Sequence, residues 1–551
     1  MSTRADPHDL RRPVDPRGEG SGGVGSNVRG DVECVNGDPS RDTIARWNDA
    51  EKGTPITMRH ADLPTALTFD DVLLVPQRSD VASRSDVDTT GRLTPNISLA
   101  VPIVAANMDT VTEWRMAIAM AQAGGIGIIH RFLTIEEHAE QVRKVKRAES
   151  HVIESPYTIG PDEPVRAMLD ELSARGVNGL PVVDADMTLL GLITRRDLVA
   201  SGLEGTVRDS MTPRDQLTIG TRETALEDAR ELMARARVEK LPLVDDAGKL
   251  AGLITMKDIA HLDLYPLATK DARGRLRVGA AIGVRGDYLD RARAVAEAGA
   301  DVLCLDIAHG HAEHALAATR ELRRTVDIEI IAGNVATPEG ARDLIEAGAH
   351  AIKVGVGPGS VCTTRLVAGV GVPQLTAIME CAVACHDAGI PMCADGGIRM
   401  PADMSKAIAA GAESIMVGNM LAGTSDSPGT LLKRDGRTVK VHRGMASGGA
   451  MKKRTDMDSS AESNSTRMER RWLLGRETDA GEFGKVVAEG VEAVVPYRGE
   501  THDVLNELAG GLRSAMSYSN SRSLTQFHDR ARFVRITPAG QVESRPHDVE
   551  V

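Results

Sequence analysis

The chain has 551 residues and a formal net charge of −12, and 42% of its residues are hydrophobic and 26% charged. This length predicts two or more domains, and the acidic balance disfavours nucleic acid as a partner because phosphate binding needs clustered lysine and arginine. Six cysteines without zinc-site or disulfide spacing, no apolar run of transmembrane length and no secretory signal favour a cytoplasmic protein with no membrane partner.

After a tail predicted to be disordered, the sequence predicts two strands separated by a helix. Residues 1–60 are rich in Gly, Pro, Asp, Arg and Ser and are predicted to form a disordered tail. In the following segment, 61–149, "PIVAANMD" (102–109) and "IGIIH" (126–130) read as buried strands on either side of a helical stretch. We interpret this segment as the first part of a domain that continues in 266–551.

An insertion, 150–265, interrupts that domain with an internal repeat. "LPVVDADMTLLGLITRRDL", which starts at Leu180, matches "LPLVDDAGKLAGLITMKDI", which starts at Leu241. Two tandem units of this length predict a pair that packs face to face.

The two units resemble CBS modules, which often bind adenine or guanine nucleotides. Such modules usually hold a ribose or a phosphate at the positions that are here Thr194, Asp197, Thr255 and Asp258. A purely structural pair is the alternative, because a fold does not by itself establish a binding site.

Strand–helix units return after the insertion. Their predicted strands are "VGAAIGV" (278–284), "DVLCLDIA" (301–308), "EIIAGNV" (329–335), "AIKVGVG" (351–357), "PMCADGG" (391–397) and "SIMVGNM" (414–420). With the two earlier strands they make about eight β-then-α units, which is the sequence form of a (β/α)₈ barrel. The predicted fold class is therefore α/β, a TIM barrel with an inserted pair of CBS modules.

Glycine-rich strand ends indicate where a ligand binds. "GPGS" (357–360), "DGG" (395–397) and "VGNM" (417–420) follow late strands and can offer free backbone N–H groups to a phosphate. Asp395 is placed to accept hydrogen bonds from ribose hydroxyls. Three such ends favour a nucleoside monophosphate over glycines that only make tight turns.

Cys362 is the candidate nucleophile. It follows the glycine-rich loop beside the predicted phosphate site, and its neighbour Arg365 would favour a thiolate. A thiolate there could attack an electrophilic ring carbon of a bound base, and a hydride carrier would then oxidise or reduce the adduct. We prefer this interpretation to that of a small buried thiol.

From about residue 67 onward the chain resembles the IMP dehydrogenase/GMP reductase family. The motifs that carry the resemblance are "LTFDDVLLVP", "VAANMDTVTE", "GGIGIIHR", "IKVGVGPGSVCTTR", "ADGGIR", "MLAGT", "RGMASGGAM", "EGVEAVVPYRG" and "GGLRSAMSYS". The resemblance implies a barrel with a CBS insertion, a purine nucleoside monophosphate substrate and a homotetramer or octamer.

The resemblance also implies roles for individual residues. Cys362 is expected to bond to purine C2, and Thr364 and Glu489 to transfer protons. The implied nucleotide ligands are Ser360, Asp395, Gly396, Gly397, Gly418, Asn419, His442, Arg443, Gly444 and Met445, with His442 in place of a tyrosine common in the family. The implied contacts to NADPH or NAD are Asp306, Gly355, Val356 and Gly357. The implied ligands for a monovalent cation, expected to be K⁺, are the carbonyl groups of Gly357, Gly359 and Cys362.

The family catalyses two reactions through one cysteine thioimidate. The dehydrogenase oxidises IMP with NAD and hydrolyses the adduct to XMP, whereas the reductase releases ammonia from GMP and reduces the adduct with NADPH. Dehydrogenases activate the water with an Arg-Tyr pair on a flap between "GGAM" and "AEGVE". Here the flap contains no Arg-Tyr, and Arg471-Trp472 and Arg476 are the nearest candidates to replace it.

Because hydrolysis needs a general base, the missing pair favours a GMP reductase. The "IMECA" segment also looks like reductases, whereas the CBS insertion, the presence of a flap and the C-terminal tail look like dehydrogenases. IMP dehydrogenase therefore stays open as the alternative. A nucleotide-sensing scaffold with weak activity is a further one.

Overall fold

A closed barrel of eight parallel strands forms the centre of the compact unit Thr65–Val551. The computed structural model describes residues 63–148, 153, 156–175, 177–197, 204–256, 259, 264–448, 450 and 487–546. The barrel strands are β1 Ile103–Ala105, β2 Ile126–Ile129, β3 Gly279–Ile282, β4 Val302–Leu305, β5 Glu329–Val335, β6 Ala351–Val354, β7 Met392–Asp395 and β8 Ser414–Val417. The predicted TIM barrel is confirmed, and most strands are shorter than predicted because their polar and glycine-rich ends belong to loops.

Helices follow the strands in the alternating order that the sequence predicts. They are Trp114–Gln122, Ile135–Ala148, Tyr288–Glu297, Glu313–Thr325, Pro338–Glu346, Gln374–Ala388 and Pro401–Ala409. After β8 the short helix Asn419–Ala422 comes first, and the eighth long helix, Thr501–Tyr518, packs against the helices 401–409 and 114–122. None of the helices in the described ranges is both long and apolar enough to cross a bilayer.

The alternation of side chains along each barrel strand produces two cores. One set packs inside the barrel and includes Val104, Ile128 and Met416. A hairpin of strands Gly91–Thr94 and Ile97–Leu99 adds Leu93, Ile97 and Leu99 to the same interior cluster. The hairpin lies at the N-terminal end of the barrel, where Thr94 donates a hydrogen bond to Glu329 at the start of β5. This end is therefore filled, and the C-terminal ends of the strands are left for a site.

The insertion folds as two similar units. In the first, strands Gly179–Val183 and Leu189–Thr194 pair antiparallel, with Leu180 opposite Ile193. In the second, Lys240–Val244 and Leu250–Thr255 pair in the same register, with Leu241 opposite Ile254. The helices of the units are Val165–Arg175 and Leu226–Ala236, and each unit has its own apolar cluster. The sequence repeat is thus also a structural repeat.

A small three-stranded sheet follows β8 in the chain. Its antiparallel strands are Leu431–Arg434, Arg437–Arg443 and Glu492–Pro496. The remaining elements are strands Val72–Leu74, Thr212–Pro213, Gly220–Thr221 and Phe533–Arg535, helices Val207–Ser210, Thr364–Val367, Leu524–Arg530 and Pro538–Glu543, and 3₁₀ turns Phe69–Asp71, Arg84–Asp86 and Arg214–Gln216.

Several sequence predictions concern residues outside the described ranges. These are the disordered tail 1–60, the nucleotide ligand Asp258, and Arg471, Trp472 and Arg476 of the flap.

Candidate active site

The loop after β6 carries the candidate nucleophile and depends on glycine at its start. A Cβ on Gly355 would lie 2.1 Å from the carbonyl oxygen of Asp395, so only glycine lets the ends of β6 and β7 approach this closely. Gly357 has a φ of +86°, and a Cβ there would lie 2.6 Å from Cγ of Arg365. The loop is therefore folded back tightly over the ends of two adjacent strands.

Cys362 differs from the other described cysteines in its exposure. Cys304, Cys381, Cys385 and Cys393 are buried, whereas Cys362 is partly exposed. Burial raises the pKa of the Cys304, Cys385 and Cys393 thiols to about 12. Since the thiolate is the reactive form, Cys362 is the described cysteine that is suited to react with a ligand.

A hydrogen-bonded relay leads from the sulfur to a carboxylate. Cys362 Sγ donates to Thr364 Oγ1 at 3.2 Å, and Thr364 Oγ1 donates to Glu489 Oε2 at 2.8 Å. The backbone holds this arrangement, because the N–H of Thr363 donates to the carbonyl of Glu489 at 2.9 Å. The N–H of Val491 donates in turn to the carbonyl of Val361 at 3.0 Å. The structure thus brings together the three residues that the resemblance implies for catalysis.

Arg365, the residue expected to favour a thiolate, donates hydrogen bonds to backbone carbonyl groups of its own loop. Its Nη2 donates to the carbonyl of Val372 at 2.6 Å and to that of Val356 at 3.3 Å. The guanidinium therefore ties the two ends of the loop together, because the Nη2 group carries two N–H donors and both carbonyl groups accept from it. Its effect on the Cys362 thiolate stays a prediction.

Two glycines follow Asp395 in left-handed conformations. Gly396 has a φ of +91° and Gly397 a φ of +84°. A Cβ on Gly396 would lie 3.3 Å from the backbone nitrogen of Gly359. The "DGG" and "GPGS" loops are therefore neighbours, as a shared phosphate site requires, and Ser360 is exposed beside them.

The predicted ligands at 442–445 lie next to the cysteine loop. A Cβ on Gly444 would lie 2.9 Å from the carbonyl of Val361, so the two backbones touch. Arg443 forms an ion pair with Asp109, and the hydrogen bonds that it donates to this carboxylate raise the pKa of Arg443. Met445 is half-buried in the same stretch.

His442 is buried, with 1% of its surface exposed. Its Nδ1 lies 3.1 Å from Thr110 Oγ1, and burial lowers its pKa to about 4. The ring is therefore neutral near pH 7 and supplies no positive charge to a phosphate.

The remaining nucleotide ligands implied by the resemblance follow β8. Gly418 is the N-cap of the short helix 419–422, and a Cβ there would lie 3.1 Å from the sulfur of Met108. Asn419 is the first residue of that helix. The loops after β1 and β8 therefore meet at the same end of the barrel as Cys362.

Asp306, an implied cofactor contact, is held by two side chains. Arg131 Nε donates to its Oδ2 at 2.6 Å, and Asn107 Nδ2 donates to its Oδ1 at 3.0 Å. Sequence reasoning missed Arg131. A charged residue directly after the predicted strand "IGIIH" was a signal in the sequence that could have identified this arginine.

The cysteine loop carries the three carbonyl groups that the resemblance implies as cation ligands. The carbonyl of Gly359 accepts a hydrogen bond from the N–H of Cys362 at 3.1 Å. Within the described ranges the carbonyl oxygens of Gly357 and Cys362 accept no hydrogen bond. Carbonyl oxygens without a donor are the ligands that K⁺ sites use.

Two of the predicted nucleotide ligands of the insertion contact each other. The N–H and Oγ1 of Thr194 both donate to Asp197 Oδ2 at 2.7 Å. Thr255 ends a strand of the other unit. A cavity of about 490 Å³ in the first unit is lined by other residues, among them Asp162, Asp184 and Arg208.

Comparison with known proteins places the chain in a family. The model of the IMP dehydrogenase / GMP reductase domain matches residues 66–547. The inosine-5'-monophosphate dehydrogenase of Nitrosopumilus maritimus is 50% identical over 484 residues, which cover 88% of this chain and 98% of the relative. The GMP reductase of Leishmania major is 48% identical over 498 residues, with coverages of 88% and 98%.

A solved structure of a relative also matches. It is a cysteine-to-alanine variant of GMP reductase from Trypanosoma brucei in complex with guanosine 5'-monophosphate. Its TM-score is 0.77 at 45% identity, and the match covers 89% of this chain and 99% of that one. On the domain match and on these identities, the chain belongs to the IMP dehydrogenase/GMP reductase family.

Proposed function

We propose that this chain is a GMP reductase, which converts GMP, NADPH and one proton into IMP, ammonia and NADP⁺. The observation that carries the proposal is the relay from Cys362 Sγ through Thr364 Oγ1 to Glu489 Oε2, with distances of 3.2 and 2.8 Å. An accessible thiol supplies a nucleophile, and the relay supplies a path for the proton that a departing amine needs.

The proton balance follows the relay. Cys362 Sγ bonds to C2 of guanine, its proton passes through Thr364 to Glu489, and the amine leaves C2 as ammonia after taking that proton. A thioimidate between Cys362 and C2 results. NADPH, when bound, supplies the hydride for C2. The C2–S bond then breaks, IMP leaves, and the Cys362 thiolate takes up the one proton that the overall reaction consumes.

The direction of the reaction is inferred from the absence of tyrosine in the flap. Residues 451–488 contain no tyrosine, and hydrolysis of the thioimidate needs a base that activates water. A GMP reductase needs no such water. Solved structures similar to this chain include GMP reductases of Trypanosoma brucei, one in complex with guanosine 5'-monophosphate and one with guanosine 5'-triphosphate.

IMP dehydrogenase is the second candidate. The chain is 50% identical to the inosine-5'-monophosphate dehydrogenase of Nitrosopumilus maritimus, and this identity favours the second candidate. The identity to the GMP reductase of Leishmania major is similar, at 48%. In that case Arg476 or the Arg471-Trp472 pair would have to replace the Arg-Tyr pair.

One assay with the purified full-length protein separates the candidates. GMP with NADPH and IMP with NAD are supplied in parallel, and NAD(P)H absorbance, ammonia, IMP and XMP are measured. We expect multiple turnovers to IMP and ammonia from GMP. Multiple turnovers to XMP from IMP would overturn the proposal, and turnover of neither pair would favour a nucleotide-sensing scaffold.

Further ligands are proposed with this function. The cofactor is expected to contact Asp306 and the 355–357 turn, and K⁺ to bind the carbonyl groups of Gly357, Gly359 and Cys362. We also propose that adenine or guanine nucleotides bind the insertion as regulators and that the assembly is a homotetramer or octamer.

A further inference from the structure

A buried lysine lies near the C-terminal end of β6, and the family resemblance assigns it no role. Lys353 is the one charged residue of β6, and only 6% of its side chain is exposed. Its Nζ lies 2.5 Å from Asp395 Oδ2 and also donates to Asn334 Oδ1. The ammonium group thus bridges side chains at the ends of β5 and β7.

An ammonium group is costly to bury unless it is paired, so the carboxylate must compensate for this cost. Burial alone lowers the pKa of Lys353, but the charge of Asp395, with further contributions from Cys304 and Asp306, outweighs it and raises the pKa above the usual range. The lysine therefore stays charged at neutral pH. A charged group fixed in this way can orient its partner.

The two oxygens of Asp395 have different environments. Oδ2 accepts from Lys353 and, at 2.9 Å, from Asn334 Nδ2. Oδ1 accepts no hydrogen bond from any described residue, and 23% of the Asp395 side chain is exposed. The backbone is fixed as well, because Gln374 Nε2 donates to the Asp395 carbonyl at 3.1 Å. One oxygen is therefore anchored and the other is left for a ligand.

We infer that Lys353 is a positioning residue that anchors Asp395 Oδ2, so that Oδ1 accepts a hydrogen bond from a ribose hydroxyl and the site selects ribonucleotides over deoxyribonucleotides. This inference rests on the nucleotide site of the proposed function, but not on the direction of the reaction. A carboxylate held at one oxygen cannot rotate away, so the loss of one substrate hydroxyl leaves its other oxygen without a donor.

The test measures dissociation constants of GMP, 2'-deoxy-GMP and 3'-deoxy-GMP by calorimetry on the full-length protein. For the wild-type protein we expect at least one deoxynucleotide to bind about 10- to 100-fold more weakly than GMP, the range for a hydrogen bond to a charged group. In Lys353→Met, the affinity for GMP should fall by a similar factor. The ratio of each deoxynucleotide's dissociation constant to that of GMP should then fall to within about threefold. Lys353→Arg should keep most of the ratio, since it keeps the charge.

Lys406→Met is the matched control. Lys406 is also buried, but it donates to the carbonyl of Phe69 at 2.8 Å from the helix 401–409. Its loss should lower the melting temperature without changing the ratio. If Lys353→Met does not fold, Lys353→Gln, which keeps a donor without the charge, replaces it.

Two results would overturn the inference. One is a wild-type protein that binds all three nucleotides equally, and the other is a Lys353 variant that weakens all three by the same factor. A protein without GMP reductase activity that still discriminates through Lys353 would refute the proposed function alone.

Discussion

The hydroxyl of Thr364 donates a hydrogen bond to Glu489 Oε2 at 2.8 Å, although 125 residues separate the two in sequence. Thr364 begins a short helix after the cysteine loop, whereas Glu489 precedes the strand Glu492–Pro496 of the small sheet that follows β8. Backbone hydrogen bonds of Thr363 and Val491 hold the two segments together. The proton path to the cysteine is therefore assembled by tertiary structure and not by one local motif.

Glu489→Gln should reduce the rate of GMP reduction by about 10²–10⁴-fold, the usual cost of losing a general acid or base. The amide keeps the size of the side chain but cannot carry the proton. Single-turnover release of ammonia measures this step directly. Thr364→Val should show a similar loss and Thr364→Ser a small one, because serine keeps the hydroxyl. An unchanged rate in Glu489→Gln would remove the relay from the mechanism.

Cys362→Ser should abolish turnover while leaving GMP binding within about threefold of the wild-type value. A hydroxyl without a strong base is a poor nucleophile for the covalent step, whereas its size and polarity preserve the pocket. Steady-state kinetics and calorimetric titration measure the two properties. Cys381→Ala, which changes a buried cysteine on the helix 374–388, is the control and should stay active. One tenth of normal activity in Cys362→Ser would disprove its role as the nucleophile.

The barrel could be predicted from sequence because its signals are local. Each strand is a short apolar run followed by a polar or glycine end, and each helix has its own periodicity. The glycines of the cysteine loop were also informative, since Gly355 and Gly357 occupy positions where a side chain would collide with Asp395 or Arg365.

The charged network could not be predicted in the same way. Arg443 pairs with Asp109, and Arg131 with Asp306, and both contacts join distant segments. The hydrogen bonds of Arg365 to the carbonyl groups of Val356 and Val372 could not be predicted either, because they depend on how the loop folds back. Lys353 was overlooked because nothing in the apolar run "AIKV" shows which distant residue its lysine contacts.

Asp197→Ala should weaken binding of ATP or GTP to the full-length protein by about tenfold or more, if the insertion holds a nucleotide through this carboxylate. Asp197 already accepts two hydrogen bonds from Thr194, so it is oriented before any ligand binds. Calorimetric titrations with ATP and GTP measure the effect. Asp186→Ala, at an exposed position of the same unit, is the control. No heat with millimolar ATP or GTP in the wild-type protein would leave the insertion purely structural.

Two buried histidines link the stability of the fold to pH. Burial lowers the pKa of His138 from 6.5 to about 3, with a further decrease from Arg291, and it lowers that of His442 to about 4. In both cases the folded-state pKa lies below the unfolded-state value. Between these values the unfolded chain binds protons that the folded chain does not, so stability falls as the pH falls.

Lowering the pH from 7 to 5 should therefore cost about 1–2 kcal/mol of unfolding free energy for each of the two histidines. His138→Leu removes one of these groups and should make the decrease smaller by that amount, even if the variant is less stable at pH 7. Urea unfolding at both pH values measures the difference. His314→Leu changes an exposed side chain and should leave the pH dependence as it is. An equal decrease in His138→Leu and the wild-type protein would show that His138 does not stay neutral in the folded protein.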